Sequence, residues 1–292
     1  MLSARWPKLA PYVFISPFFI IFLIFGAFPI VFSGAASLLD WQGVTMGQFI
    51  GFQNYLNLFR DNDFRQAVVN TVYLLALSGP FTIGGGLILA VLLNSQLLRF
   101  RGAFRTIYYL PMAVSLVVAG LAFAMVLNKP FGLVNDLIVR QFLHSEPIDF
   151  LTSPTLAIPT LTLLIIWRYI GNDLVIMLAG LQSIPADLYE ASRIDGAGAV
   201  QTFLYITLPQ MVPIILFDAI LTTVNTFNMF AEPYILFGTE GGVNQSALTT
   251  GLLVYRVSFR FFKFGYGAAM AYVIGVVIFG LSLLQLRLGR RD

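Results

Sequence analysis

The sequence has no cysteine among its 292 residues, a single histidine, and only 11% charged residues. Without cysteine there is no disulfide, thiolate nucleophile, Cys-ligated zinc or iron–sulfur centre. The lone histidine, His144, falls in a connection between apolar runs, where a solvated side chain is the default reading. No Ser/His/Asp set or metal cluster assembles around it. No stretch of the form GxxxxGK[ST] is present, so the chain carries no phosphate-binding loop of its own. Gly84-Gly85-Gly86 has no following lysine and sits inside an apolar run, where close helix packing is the expected role. Charge at 11% is less than half the roughly 25% of an ordinary soluble domain. Disorder, a disulfide scaffold and a nucleic-acid-binding domain are excluded on these grounds. What the chain has in abundance is apolar surface: 58% of its residues are hydrophobic, and its mean hydropathy is +0.83. It reads as an integral membrane protein. The net charge of +3 needs no acidic partner, because Lys and Arg flanking membrane spans explain it.

A helical span needs roughly 20 mostly apolar residues. Six stretches qualify, at about Tyr12–Phe32, Val68–Leu93, Ile107–Leu127, Leu156–Leu181, Met211–Ala231 and Phe264–Leu286. The runs are continuous and do not alternate every ten residues or so, which predicts helices and not barrel strands. The expected fold is all-α and polytopic, a single transmembrane domain over residues 1–292. The first run is longer than a signal-peptide core and reads as a retained anchor. With the N-terminus inside, the cytoplasmic segments hold Arg5, Lys8, Arg99, Arg101, Arg105, Arg193, Arg287, Arg290 and Arg291, nine basic residues against seven outside. The bias is small, and the Arg99–Arg105 and C-terminal clusters set its sign, placing both termini in the cytoplasm. No connection exceeds about 30 residues, which leaves no room for a soluble catalytic domain, so the chain is not expected to be an enzyme.

The connection at about Gln182–Gln210, LQSIPADLYEASRIDGAGAVQTFLYITLPQ with its preceding leucine, is the most informative stretch. Ser183 is a candidate helix cap and Pro185 suits a first turn. Asp187 and Glu190 lie near the positive N-terminal end of that helix. Ile184, Leu188, Ala191 and Ile194 follow a helical apolar spacing. Gly196 breaks or bends the chain, and a second short helix is predicted from about Ala199 to Thr207, ending before Pro209. Ala191, Ser192, Ala197 and Gly198 are small and would let another surface approach. Physics alone leaves open an ordinary interfacial loop.

Residues Glu190-Ala191-Ser192, then Gly196, then Ile206-Thr207-Leu208-Pro209 resemble the EAA motif of permease subunits of binding-protein-dependent ABC importers, with the same gaps. The one departure is Ser192 for alanine. The resemblance extends over nearly the whole chain. Gly51–Thr71 (GFQNYLNLFRDNDFRQAVVNT), Phe104–Pro111 (FRTIYYLP), Leu178–Pro185 (LAGLQSIP) and Phe264–Val273 (FGYGAAMAYV) are similar to signatures of the carbohydrate-uptake branch, the maltose- and glycerol-phosphate-type permeases. Phe237–Gln245 (FGTEGGVNQ) departs from the T-G-G-P turn common there, which puts the shape of that loop in question.

The resemblance implies a type I ABC importer permease (MetI-like) fold in a bacterial cytoplasmic membrane. It implies a second homologous permease, two ATP-binding subunits that hold ATP and Mg, and an extracytoplasmic binding protein that delivers a sugar or related solute. This chain would bind no cofactor or metal itself. Glu190, Ala191, Ser192, Asp195, Gly196, Ile206, Leu208 and Pro209 would form the ATPase-coupling segment, with Glu190 making polar contacts and Gly196 the turn.

Polar residues at bilayer depth face a cavity or another helix. The fourth run carries Arg168, Tyr169, Asn172 and Asp173, of which the first three share a face; the fifth carries Thr222, Asn225, Thr226 and Met229, also on one face. Such a stripe can line a solute path, or can simply hydrogen-bond helices together, with Arg168 and Asp173 neutralising charges on neighbours. By resemblance to maltose-type permeases, Arg168, Tyr169, Asn172, Thr222, Thr226 and Met229 fall at sugar-contacting positions. An arginine there would pair an anionic solute or a partner's carboxylate. Asp218 is expected to be a packing or gating residue nearer the inner half of its span, and Trp167 a core residue. The competing reading is an ion-coupled secondary transporter for a small polar solute, for which an internal repeat is expected and none is evident. A membrane-anchored assembly protein would leave the polar stripes unexplained.

Overall fold

In lipid each backbone N–H and C=O must find a partner inside its own segment, so long apolar runs fold as helices. A computed structural model describes residues 6–43, 47–95 and 99–289. Arg5, Arg290 and Arg291 of the charge count, and the side chain of Lys8, lie outside the described residues. Five helices are long and apolar enough to cross a bilayer: α1 (Pro11–Ala36), α3 (Asn62–Asn94), α7 (Ala157–Gln182), α9 (Ala199–Asn228) and α12 (Phe264–Gly289). The sixth expected span is not one helix. It is a broken pair, α4 (Arg101–Ala113) and α5 (Leu116–Val126), bent by 94°. Val114 and Ser115 at the break are extended, with ψ of 140° and 130°. The remaining elements are a two-residue antiparallel ladder, β1 (Leu39–Asp40) with β2 (Gln48–Phe49), and the short helices α2 (Gln53–Leu58), α6 (Val134–Phe142), α8 (Ala186–Ile194), α10 (Ala231–Phe237) and α11 (Thr250–Tyr255).

The chain divides into two compact units. The first comprises residues up to 61 together with 254–273. Aromatic and polar contacts knit it: Trp41 stacks at a tilt on Phe264 at 5.3 Å, and Asn54 donates to the carbonyls of Ser37 and Leu39 at 2.8 and 3.0 Å. The Tyr272 hydroxyl donates to the Ile30 carbonyl of α1, and the Tyr266 hydroxyl donates to Asp61 at 2.7 Å. None of the most apolar stretch of α1 is buried by the chain.

The second unit, residues 62–253 with 274 onward, holds the helices that matter for function. Its centre is α3 packed along α7. Gly86 permits this approach, since a Cβ there would sit 2.8–2.9 Å from Asp173 and the backbone of Leu174. Gly85 likewise leaves room for Ile170, whose Cδ1 would be 2.8 Å from a Cβ, whereas Gly84 faces open space, so two of the three mid-helix glycines serve close packing. α4 crosses α7 at Gly171, where a Cβ would meet the Tyr108 carbonyl oxygen at 2.0 Å. Apolar residues fill the space around these crossings. One cluster holds Leu87, Ala90, Leu174, Met177 and Met211. Another joins Leu74, Leu161 and Ile165 to Met229 and Ala247. The unusual loop Phe237–Gln245 is built on left-handed glycines, Gly238, Gly241 and Gly242 at φ of 73°, 70° and 81°. Asn70 of α3 fastens its end by donating to the carbonyls of Gln245 and Leu248 at 2.9 and 3.0 Å.

Candidate solute cavity and coupling segment

α7 and α9 place a polar strip on either side of a cavity of about 480 Å³. That volume lies within the roughly 300–1,000 Å³ of small-molecule sites. Of the path residues expected from the sequence, Tyr169, Asn172, Thr222, Asn225, Thr226 and Met229 all line it. The i, i+3, i+4, i+7 spacing on α9 therefore does correspond to one face on one space. Met112 and Leu116, which flank the break in the third span, line it too. α9 ends at Asn228, Met229 is extended with ψ of 120°, and the chain re-enters a helix at Ala231. Glu232, just past this break, lies in the same lining, where it accepts a hydrogen bond of 2.6 Å from the Tyr169 hydroxyl. Sequence reasoning missed Glu232. The signal was an acid next to a proline, directly after an apolar span.

Arg168 is the main correction. It does not line the cavity. Its Nη1 donates to the carbonyls of Pro111 and Val114 at 3.2 and 2.9 Å, and its Nη2 to that of Met112 at 3.4 Å. These are carbonyls that the break between α4 and α5 strips of helical partners, and a planar guanidinium with five donors can serve several at once. A positive charge at the C-terminal end of a helix is also favourable to its dipole. Neither Arg168 nor Asp173 enters an ion pair among the described residues, so mutual charge neutralisation with neighbouring helices is not their arrangement. Asp173 instead accepts from Asn172 at 3.4 Å. Asp218, expected to pack or gate, is a lining residue of the cavity. Trp167 is 40% exposed and rests on Phe123 at 5.3 Å, outside the lining; it is not a core residue.

The candidate coupling segment begins where α7 ends. The Ser183 hydroxyl turns back to the Gly180 carbonyl at 2.7 Å, so it closes α7 and does not cap α8. Pro185 precedes α8, outside its first turn, with ψ of 135°. Gly196 takes the left-handed turn at φ of 75°, open to glycine without a Cβ penalty. The second short helix does not stop before Pro209. It runs on as α9, and a widened π turn at Phe203–Thr207 absorbs the donor that Pro209 lacks. Ser192 does not offer a small outward face. It is buried, donating to the Tyr189 carbonyl at 2.8 Å and accepting from the Thr202 hydroxyl at 3.4 Å. The Tyr189 and Thr207 hydroxyls also meet, at 3.2 Å. These bonds brace the α8 segment against α9, while Ile184, Phe203 and Leu208 pack on the core cluster at the base of α3 and α7. Glu190, Ala191, Asp195, Gly196 and Pro209 are exposed and Ile206 is half-buried. Ile194, Val200 and Tyr205 are 86%, 71% and 79% exposed.

Residues 82–291 match the family described as binding-protein-dependent transport system inner membrane component. The chain belongs to this family. The permease is 35% identical to the lactose transport system permease protein LacF of Rhizobium radiobacter over 96% of this chain and 94% of that one. It is 32% identical to the arabinooligosaccharides transport system permease protein AraP of Bacillus subtilis, covering 96% and 88% of the two chains. Among solved structures it resembles a chain of a bacterial ABC transporter involved in import of the acidic polysaccharide alginate, with a TM-score of 0.83, 27% identity, and 99% and 98% coverage. A second structure of a bacterial alginate transporter, in complex with an alginate-loaded periplasmic protein, matches with a TM-score of 0.84 and 26% identity, over 98% and 97% of the chains. The permease is thus a transport component and not an enzyme, and it has the MetI-like all-α membrane fold. These matches do not favour the ion-coupled secondary transporter.

Proposed function

We propose that the permease forms, with a second homologous permease, the translocation path of an ATP-driven importer for a sugar or related solute (oligosaccharide, polyol or glycerol phosphate). An extracytoplasmic binding protein delivers the solute, and two ATP-binding subunits supply ATP and Mg chemistry. Residues 1–292 act as one permease, with both termini in the cytoplasm of a bacterial cell. The observation that carries this reading is the exposed apolar side chain of Ile194 in α8, outside the membrane-crossing helices, on a segment hydrogen-bonded to α9 and packed on the core. A surface of that kind asks to be covered by another protein. Its bracing would transmit a push on α8 and Gly196 into α7 and α9, whose polar faces line the cavity. The carbohydrate names of LacF and AraP, and the periplasmic protein bound to the alginate transporter, support the solute class and the binding protein. Closure of the ATPases would switch the path between two packed states.

Purification from native membranes in mild detergent, followed by mass spectrometry, tests the assembly. The expected result is an ATPase with a phosphate-binding loop and a second permease in the same particle. A chain recovered alone that moves solute into liposomes without ATP would overturn it.

A further inference from the structure

We propose that the cavity sorts solutes by charge, admitting those that present hydroxyl or ammonium donors and excluding anions, with Asp218 as the specificity-determining residue. This rests on the reading of the cavity as the solute path. Three carboxylates line it, those of Asp173, Asp218 and Glu232, which are 4%, 1% and 5% exposed. Among the described residues no Lys, Arg or His lines it. Glu232 has the Tyr169 hydroxyl, and Asp173 has the Asn172 amide. Asp218 differs: no protein group hydrogen-bonds to its Oδ2, which is wholly buried. An acceptor buried without a donor is costly, and a solute that supplies the donor recovers that cost on entering. A sugar hydroxyl does so, and a protonated amine does so with an opposite charge as well. A carboxylate or phosphate does the reverse, bringing like charge into a site of low dielectric. Arg168 stands behind the lining, 5.7 Å from the Tyr169 ring centroid, with both Nη groups on the carbonyls of the broken span and its Nε without a partner, so one cation outside the lining faces three carboxylates within it. The lining therefore suits a different cargo from an acidic polysaccharide, and narrows the solute classes proposed above to the oligosaccharides and polyols, against glycerol phosphate.

The test uses the complete transporter, permease pair and ATPases, in nanodiscs without binding protein, so that only the cavity selects. Saturation-transfer NMR is recorded with glucose, glucosamine and glucuronate as probes that share one ring. The expected order is glucosamine, then glucose, with glucuronate weaker than glucose by about tenfold or more. In Asp218→Asn the advantage of glucosamine over glucose falls by about tenfold. Glucuronate binding as well as glucose in the unaltered protein, or an unchanged order in Asp218→Asn, would overturn the charge selection alone. No saturation of any probe would overturn the reading of the cavity as a solute path, and this inference with it. The order in the unaltered protein decides the matter even where the variant does not fold.

Discussion

Replacing Glu190 by lysine is expected to lower solute uptake in proteoliposomes by about a hundredfold while the permease stays inserted and as stable as before. Glu190 is exposed and takes no part in the bonds that brace the segment, which run through Tyr189, Ser192, Thr202 and Thr207. A surface substitution of this kind costs the fold at most about 0.5 kcal/mol. At a docking surface, reversal of charge sets like against like and costs several kcal/mol of association. Gly196→Pro should act on the same step by another route. Gly196 stands at φ of 75°, and proline holds φ near −65°, so the turn between α8 and α9 must be rebuilt. We expect uptake in both variants to fall by about a hundredfold, a loss of roughly 2.7 kcal/mol in coupling, with ATP hydrolysis no longer stimulated by loaded binding protein. Normal uptake in both would remove the coupling role from this segment.

Arg168→Ala is expected to lower thermal stability in detergent, by about 2 kcal/mol, and to reduce uptake with it. The carbonyls of Pro111, Met112 and Val114 lose their donors together, at a break that has no helical bonds to replace them. Arg168→Lys should recover only part of the loss. One ammonium cannot reproduce a planar fork that reaches both Pro111 and Val114 through one nitrogen and Met112 through the other. A melting temperature unchanged in Arg168→Ala, with altered solute preference, would instead mean a direct contact with solute or a partner's carboxylate.

The spans were legible because bilayer thickness fixes the length of an apolar run, and five of the six runs are single helices. The third was not, since one serine, Ser115, in an otherwise apolar run does not lower its hydropathy enough to mark the break, where the backbone of Val114 and Ser115 is extended. The polar face of α9 was legible from period alone. Arg168 was misplaced because Arg168 and Tyr169, one residue apart, differ by about 100° around the helix axis. That arc is wide enough to meet two neighbours, and Tyr169 faces the cavity while Arg168 faces the broken span. Glu232 escaped because an acid just beyond a span end reads as solvated, and only the fold shows it buried in the cavity lining against Tyr169. In the coupling segment the motif spacing located the turn at Gly196, but nothing in that spacing states which small residue faces inward. Ser192 does, because its hydroxyl has partners on both short helices.

Covalent capture at Ile194 is the most direct test of coupling through α8. The chain contains no cysteine, so Ile194→Cys introduces the only thiol of this subunit, at a position that is 86% exposed. A short thiol-to-amine cross-linker applied to the assembled transporter should join this subunit to an ATP-binding subunit, and yield should change when ATP is trapped there. Labelling of that thiol by a membrane-impermeant reagent from outside intact cells, with no cross-link to an ATPase, would contradict it.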